Sequence, residues 1–225
     1  MESASTSVTL LRVLVACEES GTIRDAFRRR GHHAYSCDLL SSRGDPDNAE
    51  FHYQGDIFEC LKASGEWDLM IAHPSCQYTT VAGARWLYEK PGRLTLQDKA
   101  IRFFIRLDKW SAIQHRCIEH PQSVVSTRYR KYDQLVRPYW FGEKETKQIC
   151  LYLTNLPPLE PTKMLKPPRG PAKDWSVADK KIWNKVHRAP PGPNRARDRS
   201  KTCEGLAEAM AAQYSEYILK LRGRK

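Results

Sequence analysis

Five short apolar runs, each closing on a loop of polar or small residues, set the strongest limit on how this chain can fold. Val8–Cys17 ends at Glu18-Glu19-Ser20-Gly21, and His33–Cys37 ends on Asp38. A third stretch stops at Gly55-Asp56-Ile57, Trp67–Ala72 empties into His73-Pro74-Ser75-Cys76, and Arg116–Glu119 halts at His120-Pro121. Short runs rich in β-branched and apolar residues read as buried strands. Between them lie segments with helical character, Thr22–Arg30 and Thr95–Gln114. In the second, Ile101, Phe104, Ile105, Leu107, Trp110 and Ile113 recur at helical spacing, with Thr95 or Asp98 available as caps. Gly205–Leu221, carrying Leu206, Ala209, Met210, Gln213, Tyr214, Tyr217 and Ile218, reads as a closing amphipathic helix. Strands alternating with helices predict an α/β fold: a largely parallel sheet with helices on both faces and ligands beyond the carboxyl ends of its strands.

The chain has 225 residues, 40% of them hydrophobic, which suits one domain with an extension. Nothing approaches the roughly 20 consecutive apolar residues that a membrane span needs, so no membrane association is expected. Met1–Val8 lacks the basic and apolar segments of a signal peptide, so the seven cysteines are expected to be reduced thiols in a cytoplasm. Net charge is +11, and it is unevenly placed. Between Pro161 and Lys201 stand twelve Lys and Arg against three Asp, nine of the eleven net charges. Proline clusters at Pro157-Pro158, Pro167-Pro168 and Pro190-Pro191 break regular structure there, predicting a basic, loop-rich insert. Such a charge density is what phosphate contacts to nucleic acid require, although a solvated segment would look similar. Trp175 and Trp183 weigh against simple disorder.

Cys76 follows a strand directly. A thiolate there, near the positive end of the next turn, would have a depressed pKa and could add to an electron-poor pyrimidine; the alternative is a small core residue. Glu119, ending another strand, could protonate a ring nitrogen in the same crevice, or be a surface charge. Asp38 and Asp56 stand where ribose hydroxyls and an adenine edge are commonly bound, or act as turn and cap residues. No C-x-x-C pair is present and His73 with Cys76 is half a metal site at best, so no metal is expected. His32-His33 reads as a surface turn.

In order and spacing these loops resemble the carbon-5 cytosine DNA methyltransferases, and more closely the short phage and prophage members of that superfamily. Pro74-Ser75-Cys76-Gln77 matches the nucleophile loop and Ile118-Glu119-His120-Pro121 the acid segment, with His120 where the family has asparagine. Cys17-Glu18-Glu19-Ser20-Gly21 stands at the family's glycine-rich S-adenosylmethionine loop, but with a single glycine. Asp38-Leu39 stands at the ribose position, Gly55-Asp56-Ile57 at the adenine position, and Arg199 to Thr202 with Gly205-Leu206-Ala207 at the segment completing the cofactor site.

The resemblance implies a Rossmann-like S-adenosylmethionine-dependent methyltransferase fold in which residues 8–159 form the catalytic domain. Residues 160–198 would be a basic, Pro-rich, reduced DNA-recognition region, and 199–221 a closing segment. It further implies a DNA cytosine-5 methyltransferase that flips its base out of double-stranded DNA, with short or relaxed specificity. Cys76 would be nucleophile, Glu119 the acid at ring nitrogen 3, and Lys147 the group at the cytosine carbonyl, with Arg128 and Arg130 as competitors for that last role. Cofactor contacts would come from Cys17, Glu18, Ser20, Gly21, Asp38, Leu39, Asp56, Ile57, Pro74 and Thr202. DNA contacts would come from Gln77, Arg128, Arg130, Lys131, Arg169, Arg195 and Arg197. A phage or prophage product in bacterial cytoplasm, without an obligate protein partner, is the matching setting. A nucleic-acid-binding protein without turnover, or an enzyme that modifies RNA or uses a cofactor analogue, remains open from sequence.

Overall fold

Strand β1 (Arg12–Ala16) reads RVLVA, and every residue after Arg12 is fully buried, as an interior strand of the sheet requires. The computed structural model describes residues 10–63, 65–81, 89, 91–186, 188–192 and 195–224, without the side chains of 196–198. After β1 come α1 (Thr22–Arg29), β2 (His33–Asp38), β3 (His52–Gln54), α2 (Ile57–Ala63), β4 (Leu69–Ala72) and α3 (Arg93–Asp108). Then follow β5 (His115–His120), α4 (Val125–Arg128), β6 (Gln134–Val136), β7 (Ile149–Thr154), α5 (Val177–Trp183), α6 (Arg195–Ser200) and α7 (Glu204–Arg222). The strands stand in the order β3-β2-β1-β4-β5-β7-β6. β1 to β5 pair in parallel, and β7 alone is reversed, antiparallel to both β5 and β6. The expected α/β class, a largely parallel Rossmann-like sheet, is therefore the observed one. Because β1 to β5 share a direction, the loops after them all emerge at one edge.

The pleat of β1 sends alternate side chains to opposite layers. Val13 and Val15 pack with Ile23 and Phe27 of α1 and with Leu206, Met210 and Tyr214 of α7. Leu14 and Ala16 pack with Phe58 and Leu61 of α2 and with Ile101, Phe104 and Leu107 of α3. Burial of each such side chain contributes about 1.5–3 kcal/mol. Phe104 also stacks edge-on against Tyr152 of β7, ring centroids 4.9 Å apart, which ties α3 to the reversed strand. Gly205 opens α7 because a Cβ there would run into the Phe141 carbonyl.

Helix α3 departs from the expected bounds at both ends. Gly92, left-handed at φ 77°, precedes it, so Thr95 lies inside the first turns and neither it nor Asp98 is the cap. The helix stops at Asp108, where the Lys109 and Trp110 amides close the last turn on Ile105 and Leu107. Ile113 is buried in the loop that follows. The basic stretch after Pro161 is also more structured than its prolines predict. Ser176 caps α5, whose last residue Trp183 is buried. Thr146 binds the Trp183 carbonyl through its amide, at 3.0 Å, and the Asn184 side chain through its hydroxyl, at 2.6 Å. Among the described residues no helix is long and apolar enough to cross a membrane; Met1–Val8 lies outside them.

Candidate active site

The edge where β1, β2 and β3 end gathers Cys17, Asp38 and Asp56. Cys17 has a positive φ of 58°, and burial, then the charges of Asp38 and Asp56, push its thiol up to about 12. The two carboxylates therefore face one place. Each also serves its own loop: Asp38 accepts from the Leu40 amide at 2.9 Å, and Asp56 caps α2 through the Phe58 amide at 2.7 Å. Leu39 stands beside them 72% exposed, whereas the Ile57 side chain is in the core and can meet a ligand only through its backbone.

Glu18 has a structural part in its own loop. Its carboxylate is buried and accepts from the Ile23 amide at 2.8 Å, the Arg24 amide at 3.3 Å and the Ser20 hydroxyl at 3.3 Å. It caps α1, satisfying amides that the helix itself cannot. Gly21 is left-handed at φ 67°, and a Cβ on it would lie 2.5 Å from Arg24 Nη2 and 3.1 Å from the Gly44 Cα. The loop thus packs flat on a buried arginine. Ser20, with Thr22, Arg43, Gly44 and Lys201, lines an open cleft of about 480 Å³.

Pro74 is buried and Cys76 half-buried after β4. The Thr79 and Thr80 amides both donate to the Cys76 carbonyl at 3.1 Å, folding the loop into a turn. The Thr79 hydroxyl also contacts the Cys76 carbonyl at 3.3 Å and His120 Nε2 at 2.8 Å. The Val124 amide donates to the Thr79 carbonyl at 3.0 Å. These bonds stitch the loop after β4 to the end of β5, and so bring Cys76 beside Glu119.

Protonation in this site is the reverse of what chain position predicts. Burial raises the Cys76 thiol, as does Glu119, against a backbone amide and the charges of Lys147 and Arg199. A turn's positive end does not outweigh desolvation, so the resting group is a thiol. Burial would also raise Glu119, but the hydrogen bond and charge of His73, the Lys147 charge and the Thr202 hydroxyl hold it at about 2. His73 Nδ1 lies 2.8 Å from Glu119 Oε2, and Thr202 Oγ1 donates to the same oxygen at 3.2 Å. Glu119 is consequently a carboxylate at neutral pH. Thr202, assigned to the cofactor from sequence, holds this carboxylate. The charge of Lys147 acts on Cys76, Glu119 and His73 alike.

The residues expected on DNA divide. Gln77, Lys131 and Arg169 are exposed. Arg130 is not available: its guanidinium forks onto Asp108, at 2.9 and 3.0 Å, and Asp133, at 2.7 Å, and it is pulled in by that buried acid. Arg128 is engaged by Asp98 at 2.8 Å and Gln97 at 3.1 Å. Arg195 donates to the Ala189 carbonyl at 2.7 Å, and the Arg197 side chain lies outside the described residues. Arg130 is thus tied into a buried network, whereas the Arg128 pair is half-exposed. Three residues that sequence did not assign join the site: His73, Thr79 and His120. The signal for His73 was the one used for Cys76, a chemical side chain directly after a buried strand. Thr79 carried no such signal.

No protein-family model matches the chain, and no curated protein matches it in sequence. Among solved structures it is similar to the S. pombe Dnmt2 methyltransferase, at 16% identity and a TM-score of 0.41, covering 76% of this chain and 53% of that one. It is also similar to the Entamoeba histolytica methyltransferase EhMeth, at 13% identity and a TM-score of 0.44, covering 75% of this chain and 63% of that one. The chain thus spans between about half and just under two thirds of the length of these two proteins.

Proposed function

We propose that the chain is an S-adenosylmethionine-dependent cytosine-5 methyltransferase acting on DNA. The observation that carries this reading is the meeting of Cys76, Glu119 and Lys147 at the strand edge that also gathers Cys17, Asp38 and Asp56. The second group suits the cofactor: two carboxylates for hydroxyl and amine donors, beside the exposed side chain of Leu39. Cys17, Asp38, Leu39 and Asp56 would hold it, and once bound it supplies an electrophilic methyl group.

The chain's own residues do the rest. A cytosine inside a duplex is closed to attack at carbon 6, so the base must leave the stack. Cys76, after losing its proton, bonds to carbon 6, and charge accumulates at ring nitrogen 3 and the carbonyl oxygen. A carboxyl at position 119 protonates the nitrogen, and the Lys147 ammonium stabilises the oxygen. Carbon 5 then becomes nucleophilic, and expulsion of the thiolate after loss of the carbon-5 proton restores the ring. Exposed cations of the basic stretch, Arg169 among them, would hold phosphates.

The experiment is transfer of tritiated methyl groups from the cofactor to cytosine-containing duplex DNA, with single-stranded DNA and RNA in parallel. Label in cytosine of the duplex, absent with Cys76→Ala, is expected. Label that persists in the variant removes Cys76, and label confined to RNA replaces the substrate.

A further inference from the structure

We propose that His73 stores the proton that the Glu119 carboxyl delivers to ring nitrogen 3. This deepens the reading above and rests on it. The reaction needs a proton on Glu119, and the resting carboxylate has none. Among the described residues, hydrogen bonds reach Glu119 from His73 Nδ1, at 2.8 Å, and from the Thr202 hydroxyl, at 3.2 Å. An imidazolium is far the stronger acid of the two.

The surroundings of His73 fit the role. Its Nε2 is buried without a hydrogen-bond partner, which costs the charged ring one donor, so the Nδ1–Glu119 contact is what holds both its orientation and its proton. Three charges from three segments face it: Glu119 at the end of β5, Glu18 after β1, and Lys147 before β7. Burial opposes a charged ring, but the Glu119 hydrogen bond and charge, with Glu18, outweigh it and the Lys147 repulsion, so the imidazole is raised above its ordinary value.

The protons balance. As the Cys76 thiolate, its own proton gone to solvent, bonds to carbon 6, the His73 Nδ1–H bond breaks and a carboxyl O–H bond forms on Glu119. That O–H bond breaks in turn as N3–H forms, leaving neutral imidazole and a carboxylate. When the thiolate is expelled, the proton returns by the same two transfers. His73 acts through Glu119 and touches neither base nor cofactor.

The test is the pH–rate profile of methyl transfer for the wild type, His73→Gln and His73→Asn, with folding followed by circular dichroism. The wild type should lose activity as pH rises through the titration of the pair. Both amides keep a hydrogen-bond donor without the proton, so at pH 6.5, where the raised wild-type imidazole is still protonated, their kcat should fall by about 100-fold, a typical general-acid contribution. At pH 5.5, where Glu119 freed of the imidazolium is partly protonated by solvent, the gap should shrink to about 10-fold. A uniform loss at every pH, or a wild-type profile in either variant, overturns the proposal and leaves the methyltransferase reading intact. A wild type that transfers no methyl to cytosine overturns both. Nitrogen-15 NMR adds a readout independent of turnover: the His73 titration should fall on Glu119→Gln, and an unmoved titration also refutes the store.

Discussion

Arg24→Met removes a guanidinium that water does not reach. Arg24 is fully buried; its Nε lies 2.8 Å from Asp25 Oδ1, and its Nη1 donates to the hydroxyls of Ser36, at 3.2 Å, and Ser42, at 3.3 Å. Nη2 has no partner and lies against Gly21 and Gly44. Deleting one member of a buried ion pair costs about 3–5 kcal/mol, because the other charge is stranded. Against this, methionine abolishes the unpartnered Nη2, worth about 1–3 kcal/mol. The net loss is then about 2 kcal/mol, a fall in Tm of about 4–8 °C for a domain of this size. Urea unfolding followed by circular dichroism measures it. Asp25→Asn added to Arg24→Met should recover most of the loss, since the stranded carboxylate is gone. A single variant as stable as the wild type, or a double variant less stable than the single, would refute the buried pair. Gly21 and Gly44 rest on this side chain, so cofactor affinity should also fall in the single variant, measurable by calorimetry.

Cys76→Ala should abolish methyl transfer while changing stability by less than about 1 kcal/mol, because it deletes one half-buried sulfur; a variant that unfolds instead would point to a packing role. Burial holds His120 down from 6.5 to about 4, so the fold favours its neutral form. Its contribution is complete above pH 6.5 and is lost as pH falls to about 4, roughly 3 kcal/mol in all. Urea unfolding at pH 7, 5.5 and 4 should show that slope in the wild type and a shallower one in His120→Asn; equal slopes would contradict it. Gly205→Ala must displace the Phe141 backbone and should cost about 1–3 kcal/mol, visible in the same assay as a lowered urea midpoint.

The strands were legible because each is short, apolar and closed by a polar loop, a pattern that needs no tertiary information. Cys17, Asp38, Asp56, Cys76 and Glu119 were found by one rule, that side chains following parallel strands share an edge. What each residue does at that edge was less legible. Asp56 reads equally as ligand or cap and Glu18 reads only as part of the cofactor loop, yet both cap helices because the first amides of α1 and α2 have no other acceptor. Arg130, one more cation in a basic chain, is consumed by Asp108 and Asp133, far away in sequence for the first of them. The prolines after Pro161 masked α5, which is held in place by Trp183 docking under Thr146.

By itself the sequence determined the alternation of strand and helix, the parallel sheet and the edge at which chemistry gathers, because hydrophobic periodicity is a local property that survives in one dimension. Tertiary structure alone decided the protonation of that edge. Whether Cys76 is thiol or thiolate, and whether Glu119 or His73 carries the proton, depends on desolvation, on charges brought from β5 and from Lys147, and on the Thr202 hydroxyl. Those energies follow distances in space, and the residues involved stand between 46 and 129 positions apart along the chain from His73 to Glu119 and Thr202.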